Sequence, residues 1–285
     1  MVISISGAGG MIGQALTRVF TEKGWTIRII NRDSFNLSDE AFRLQKIEGT
    51  DAVINLAGAP LSAKWTDLYM KEIYNSRILT TRKITQSIVN ATQRPSLFIS
   101  ASAIGIYDPI GIHTEESTAF SSGFIYQLCM DWEAEAFKAS GITRLVIMRM
   151  GVVLSAEGGA LKKMVLPFSL GLGGKVGEGS QPFSFIHIDD LVQAFIFIIG
   201  FPEMTGVVNA VTPYPTTQSE FAQKFGRVLK QPVFLTIPEF VLRCRLGKGA
   251  SMLLEGQRVM PGKLEKAGFR WKYPTVQNAL VNLYG

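Results

Sequence analysis

The chain has 285 residues, of which 47% are hydrophobic and 18% charged, and carries a net charge of +6. This composition excludes a disordered or fibrous chain and allows one large domain, or a nucleotide domain with a smaller lobe. The basic residues are scattered, with Arg82-Lys83 and Lys162-Lys163 as the densest groups; that excludes a nucleic-acid stripe and suits an anionic cofactor.

In chain order, Val2 to Ser6 is an apolar strand followed at once by glycines. A helical pattern then runs through Leu16, Val19 and Phe20 until Gly24 stops it. Residues 26–30 and 51–56 are further strands, 66–90 a long helix, and 97–100 a fourth strand. A helix over 123–139 ends at Gly141, and 144–148 is a fifth strand. Strands alternating with long helical segments require crossovers, hence a parallel sheet. After Gly151 the texture changes: a glycine-rich stretch spans 171–179, and six prolines from Pro202 to Pro261 break up the remainder.

Ser6-Gly7-Ala8-Gly9-Gly10-Met11-Ile12-Gly13 lies between the first strand and the first helix. Glycines at 7, 10 and 13 permit a tight turn, backbone approach to a pyrophosphate and close helix packing, and the helix N-terminus offers free amides. At the end of the second strand stand Asn31 and Arg32; Arg32 is 19 positions past Gly13. A base there accommodates the 2′-phosphate of NADP, so NADP is favoured over NAD, with Asp33 as the counter-indication. The expected fold is therefore α/β, a Rossmann-type doubly wound parallel sheet with a smaller C-terminal substrate lobe. Residues 1–165 would form the NADP-binding domain and 166–285 the lobe and C-terminal segment, interleaved through further strands from 182–212.

Two cysteines, Cys129 and Cys244, and two histidines, His113 and His187, point to a reducing compartment and to no structural metal. The N-terminus lacks the basic start and long apolar middle of a secretion signal. The stretch from Leu191 to Phe201 is too short to span a bilayer. A cytoplasmic protein is expected, without membrane or nucleic-acid partner; a homodimer is compatible with this class.

The chain resembles the extended short-chain dehydrogenase/reductase superfamily, and more narrowly an atypical epimerase-like family with a distinctive C-terminal segment. The likeness rests on Gly7 to Gly13, Asn55-Leu56-Ala57-Gly58, Ser76-Arg77, Ser100 to Gly105, Trp132-Glu133, Arg149-Met150-Gly151, Ile186 to Asp190, Leu253 to Val259 and Gly268-Phe269. It implies that Gly7, Gly10, Met11 and Ile12 line the pyrophosphate and that Arg32, beside Asn31, faces the 2′-phosphate. Leu56, Ala57 and Gly58 would pass under the adenine and its ribose. Ser100, Ala101 and Ser102 would approach the nicotinamide ribose, Gly151 would flank the nicotinamide, and residues 171–187 would build the substrate side.

Reductases of this superfamily use Tyr-x-x-x-Lys, with the lysine lowering the tyrosine pKa from the same helix face. No tyrosine here has a lysine four positions on; anchoring on Trp132-Glu133 puts Ile125 and Cys129 at those places. Substitutes are Ser102, hydrogen-bonding a carbonyl or merely satisfied at a strand end, and Tyr107, a proton donor or a packing residue. His187 titrates near neutrality and begins a helix that Asp189 and Asp190 would cap, or serves structure alone. Two functions stay open: an NADP-dependent oxidoreductase or epimerase-like enzyme with an unusual proton donor, and a catalytically silent NADP(H) sensor.

Overall fold

Strands buried on both faces need apolar residues at successive positions, and the central strands have them. The computed structural model describes residues 1–285. Its elements begin β1 (Val2–Ser6), α1 (Met11–Glu22), β2 (Thr26–Ile30), α2 (Asp39–Phe42), β3 (Ala52–Asn55), α3 (Asp67–Asn90), β4 (Leu97–Ala103), β5 (Ile112–His113), α4 (Gly123–Phe137) and β6 (Arg144–Met150). They continue with β7 (Val152–Leu154), α5 (Gly159–Ser169), β8 (Gly174–Val176), β9 (Pro182–Phe183), β10 (Phe185–His187), α6 (Ile188–Gly200), β11 (Gly206–Ala210), β12 (Thr216–Thr217) and α7 (Gln218–Val228). The chain closes with β13 (Leu235–Ile237), α8 (Glu239–Leu246), α9 (Ser251–Leu254), β14 (Arg258–Val259), α10 (Gly262–Lys266) and α11 (Val276–Tyr284).

Six parallel strands form the central sheet in the order β11-β6-β4-β3-β1-β2. The two-residue period of a strand sorts its side chains. Ile3, Ile5, Ile54, Ile99, Val146 and Met148 face α1 and α6. Val53, Phe98, Leu145 and Ile147 face α3 and the end of α4. Fully burying a side chain such as Phe20 or Phe98 contributes about 2–3 kcal/mol, and the two layers hold helices on both faces of the sheet.

Strands β4 and β6 run past the expected 97–100 and 144–148, pairing from Leu97↔Arg144 to Ala103↔Met150. The small residues Ser100-Ala101-Ser102 hide that extension from an apolar pattern. Between β2 and β3 the chain makes a 3₁₀ turn (Asp33–Asn36), α2 and a π turn (Arg43–Ile47) but no strand, leaving β2 at the sheet edge. The sixth strand, β11, returns from the second half of the chain. Beyond it, β7 pairs β10 and β8 pairs β13. Leu154, Leu161, Phe168, Phe185, Phe221, Phe225 and Leu280 form a separate core there.

No helix is long and apolar enough to cross a membrane.

Candidate functional site

The sheet reverses its winding at β1, which has β2 on one side and β3 on the other. Ligands of open α/β sheets bind beyond the carboxyl ends of the strands at such a point. The last rungs are level: Ser6 pairs with Ile30 and Asn55, and Asn55 with Ser100. Asn31, Gly7 and Leu56 therefore leave the sheet along one edge, while β4 runs on beside β6 as far as Ala103.

The glycines of the loop do different things. Gly7 has φ +80°, and a Cβ there would stand 2.8 Å from the carbonyl carbon of Leu56. A Cβ on Gly13 would stand 2.3 Å from the Gly7 oxygen. These two are required by the packing of the loop on itself and on the β3 exit. A Cβ on Gly10 would meet only the Gly7 oxygen, at 3.4 Å, and one on Gly9 would meet nothing within 4 Å. The first turn of α1 has neither a side-chain cap nor an acidic residue. Its first-turn amides have no side-chain partner and stand at the positive end of the helix dipole, an arrangement suited to a diphosphate.

At the β2 exit the Asn31 side-chain Oδ1 accepts from the Ser34 amide at 2.9 Å and the Ser34 hydroxyl at 2.7 Å, fixing the turn. Arg32 is exposed and has no carboxylate partner, so its guanidinium is available to an anion. At the β3 exit, a Cβ on Gly58 would stand 2.7 Å from Arg77 Cζ. Arg77 lies beneath this turn and donates to the carbonyls of Ala59 at 3.2 Å and Ile73 at 3.1 Å. It also stacks over the Trp132 ring, 5.3 Å away. Burial lowers its pKa to about 10.

On α4, Ile125, Cys129 and Glu133 recur at four-residue spacing and share the face turned to the end of β4. Ile125 Cγ2 would be 2.7 Å from a Cβ on Gly105, and Cys129 Sγ lies 3.9 Å from the Ala103 oxygen. By the resemblance, these are the positions where the superfamily's reductases carry tyrosine and lysine. Burial pushes the Cys129 thiol up to about 12, which keeps it neutral and unreactive. The third residue of the face is different. Ser102 donates to Glu133 Oε1 at 2.6 Å, and Arg149 grips Glu133 through Nε at 2.8 Å and a terminal nitrogen at 2.7 Å. Arg149 also donates to Tyr107 Oη at 2.9 Å, which donates to Asn209 Oδ1 at 2.9 Å.

Comparison with known proteins agrees with this geometry. Residues 3–210 match the NAD dependent epimerase/dehydratase family, and residues 237–283 match a domain of unknown function, DUF1731. The chain belongs to the NAD dependent epimerase/dehydratase family. It is 36% identical over 298 residues to the epimerase family protein SDR39U1 homolog, chloroplastic, of Arabidopsis thaliana, covering 98% of this chain and 86% of that one. It is 35% identical over 297 residues to epimerase family protein SDR39U1 of Mus musculus, covering 99% of each. The crystal structure of human epimerase family protein SDR39U1 (isoform2) with NADPH superposes with a TM-score of 0.93 at 32% identity, covering 100% of this chain and 99% of that one.

In this family member, Gly7, Gly10, Met11 and Ile12 come together with Leu56, Ala57 and Gly58 at the crevice, and Asn31 and Arg32 stand at its β2 end. Gly151 sits where the chain passes from β6 to β7; a Cβ there would lie 2.7 Å from the Ser184 oxygen. Ser100 and Ala101 are buried in β4, and the Ser100 hydroxyl is sealed from solvent without a partner. Tyr107 is fully buried with its oxygen engaged on both sides, and burial raises its pKa. It positions Arg149 and has no free face for a substrate.

His187 belongs to another cluster. It is itself the cap of α6: its Nδ1 accepts from the Asp189 amide at 3.0 Å, while its ring lies 4.0 Å from that of Tyr273. The expectation that Asp189 and Asp190 cap this helix is corrected here, because Asp190 turns away to accept from the amides of Lys272 at 2.7 Å and Tyr273 at 2.9 Å. Burial lowers the His187 pKa, so it is neutral at pH 7.

Sequence reasoning missed Glu133, Arg149 and Arg77 as partners of these groups. A charged residue inside the apolar run of β6 was the available signal, since a buried charge requires a counter-charge.

Proposed function

We propose that this crevice holds NADP(H) and that the chain is an oxidoreductase or epimerase-like protein acting on a small hydroxyl or carbonyl substrate. One observation carries the reading: the uncapped first turn of α1 opens onto the empty side of Gly9 and Gly10, with an unpaired Arg32 at the neighbouring strand end. In this arrangement Gly7, Gly10, Met11 and Ile12 hold the diphosphate. Arg32 takes the 2′-phosphate from the turn that Asn31 fixes, Leu56, Ala57 and Gly58 lie under the adenine side, and Ala101 and Gly151 bound the nicotinamide side. The NADPH in the human relative's structure supports the choice of cofactor. Bound there, a nicotinamide supplies hydride transfer.

Of the candidate proton-handling residues, Ser102 is itself only 2% exposed, and its hydrogen is committed to Glu133 at 2.6 Å. It is therefore poorly disposed to donate to a carbonyl, and its role is to orient Glu133. Calorimetric titration tests the cofactor assignment: NADPH binds more tightly than NADH, and a folded sample that binds neither overturns it.

A second reading, a catalytically silent NADP(H) sensor, is favoured by Ile125 and the neutral Cys129 in place of a tyrosine and lysine. Stereospecific deuteride transfer from labelled NADPH to any member of a carbonyl panel excludes the sensor; tight binding without transfer supports it.

A further inference from the structure

The segments that converge on the crevice are almost free of cations. Residues 7–17, 56–63 and 101–107 contain no lysine or arginine, and the only charged residue in 151–159 is Glu157. The surrounding basic groups have other work: Arg32 is assigned to the 2′-phosphate, Arg18 pairs with Glu157 at 3.0 Å, Arg77 is bound to carbonyls beneath Gly58, and Lys162 donates to the Glu157 carbonyl at 3.2 Å. Lys64 lies alongside Gly247. A diphosphate held by backbone amides alone would keep most of its charge uncompensated.

One lysine is placed to supply the charge. Helix α5 begins at Gly158-Gly159, and these glycines rest on Met11, the first residue of α1. A Cβ on either would stand 3.1 Å from a Met11 side-chain atom. Residues four apart share a helix face, so Lys163 lies on the same side of α5 as Gly159, the side facing the glycine loop. Its ammonium has no carboxylate partner. It donates to Ser62 Oγ at 2.5 Å, reaching across to the segment that follows the β3 exit. Met11, Gly159, Lys163 and Ser62 thus border the ground between the first turn of α1 and the β3 exit.

We infer that Lys163 is a cofactor ligand delivered by the second half of the chain, and that it leaves Ser62 to bind the diphosphate of the dinucleotide. This rests on the NADP(H) reading above and adds to it a cation that the glycine loop itself lacks. The side chain is exposed, so its replacement does not disturb the core.

The test is calorimetry of the wild type, Lys163→Met and Lys163→Arg with two probes: NADPH, and adenosine 2′-phosphate, which carries the 2′-phosphate but no diphosphate. The expected result is that Lys163→Met lowers NADPH affinity about tenfold, Lys163→Arg recovers most of it, and adenosine 2′-phosphate binds all three proteins alike. Equal NADPH affinity in wild type and Lys163→Met overturns the inference while leaving the cofactor assignment intact. An equal loss for both probes also overturns it, since the lysine would then act elsewhere than on the diphosphate. A wild type that binds no NADPH removes the cofactor assignment, and the inference with it.

Discussion

Glu133→Gln removes the charge from a carboxylate that accepts from Ser102 at 2.6 Å and from Arg149 at 2.8 and 2.7 Å. Both ionic partners are 5% exposed. Burial works against the Arg149 charge, but the hydrogen bonds and charge of Glu133 outweigh it and hold the guanidinium above its ordinary range. With the carboxylate gone, Arg149 is a buried cation facing an amide, and breaking one side of such a pair costs about 3–5 kcal/mol. At roughly 2.1 cal/mol/K per residue, a chain of 285 residues unfolds with an entropy of about 0.6 kcal/mol/K, so the melting temperature falls by about 7 °C. Replacing both partners, Glu133→Met with Arg149→Met, removes the stranded charge and recovers at least half the loss. Urea midpoints and thermal melts of both variants beside the wild type measure this. A loss under about 1 kcal/mol for Glu133→Gln, or a double variant less stable than Glu133→Gln, refutes the reasoning.

The other expectations concern the crevice and the α6 cap. Arg32→Ala weakens NADPH by about tenfold or more and leaves NADH nearly unchanged, as fluorescence titration with each cofactor will show; an equal loss for both removes Arg32 from the 2′-phosphate. Gly13→Ala drives a methyl to within 2.3 Å of the Gly7 oxygen and lowers stability by about 1–3 kcal/mol. Gly9→Ala meets nothing within 4 Å, so it melts like the wild type yet binds NADPH less well. Burial lowers the His187 pKa below its value of 6.5 in the unfolded chain. The unfolded state then takes up the proton first, so stability is constant above that value, falls as pH drops through it, and levels off below the folded pKa. His187→Asn, which keeps a helix cap, flattens that fall between pH 7 and 5 in urea titrations; an unchanged slope contradicts it.

Much of the nucleotide half was legible because its signals are local. Val2–Ser6, the glycines and the first helix follow one another without a gap, and each strand-to-helix alternation announces a crossover. The exit residues Gly7, Asn31 and Leu56 are neighbours because the strands are parallel and in register, which the alternation already implies. The ends of β4 and β6 were not legible, since Ser100-Ala101-Ser102 and Arg149 break the apolar pattern there.

Sequence alone determined that the chain folds as a doubly wound sheet with an amide-lined turn after its first strand, and that the usual tyrosine and lysine are absent. Spacing along one segment is enough for both. Only the folded chain decided what Ser102, Tyr107 and His187 do, because their partners come from far away in sequence: Glu133 on α4, Asn209 on β11 and Tyr273 near the C-terminus. A hydroxyl, phenol or imidazole has the same formula whether free or engaged. Burial and the direction of its hydrogen bonds settle which it is, and these arise when distant elements pack.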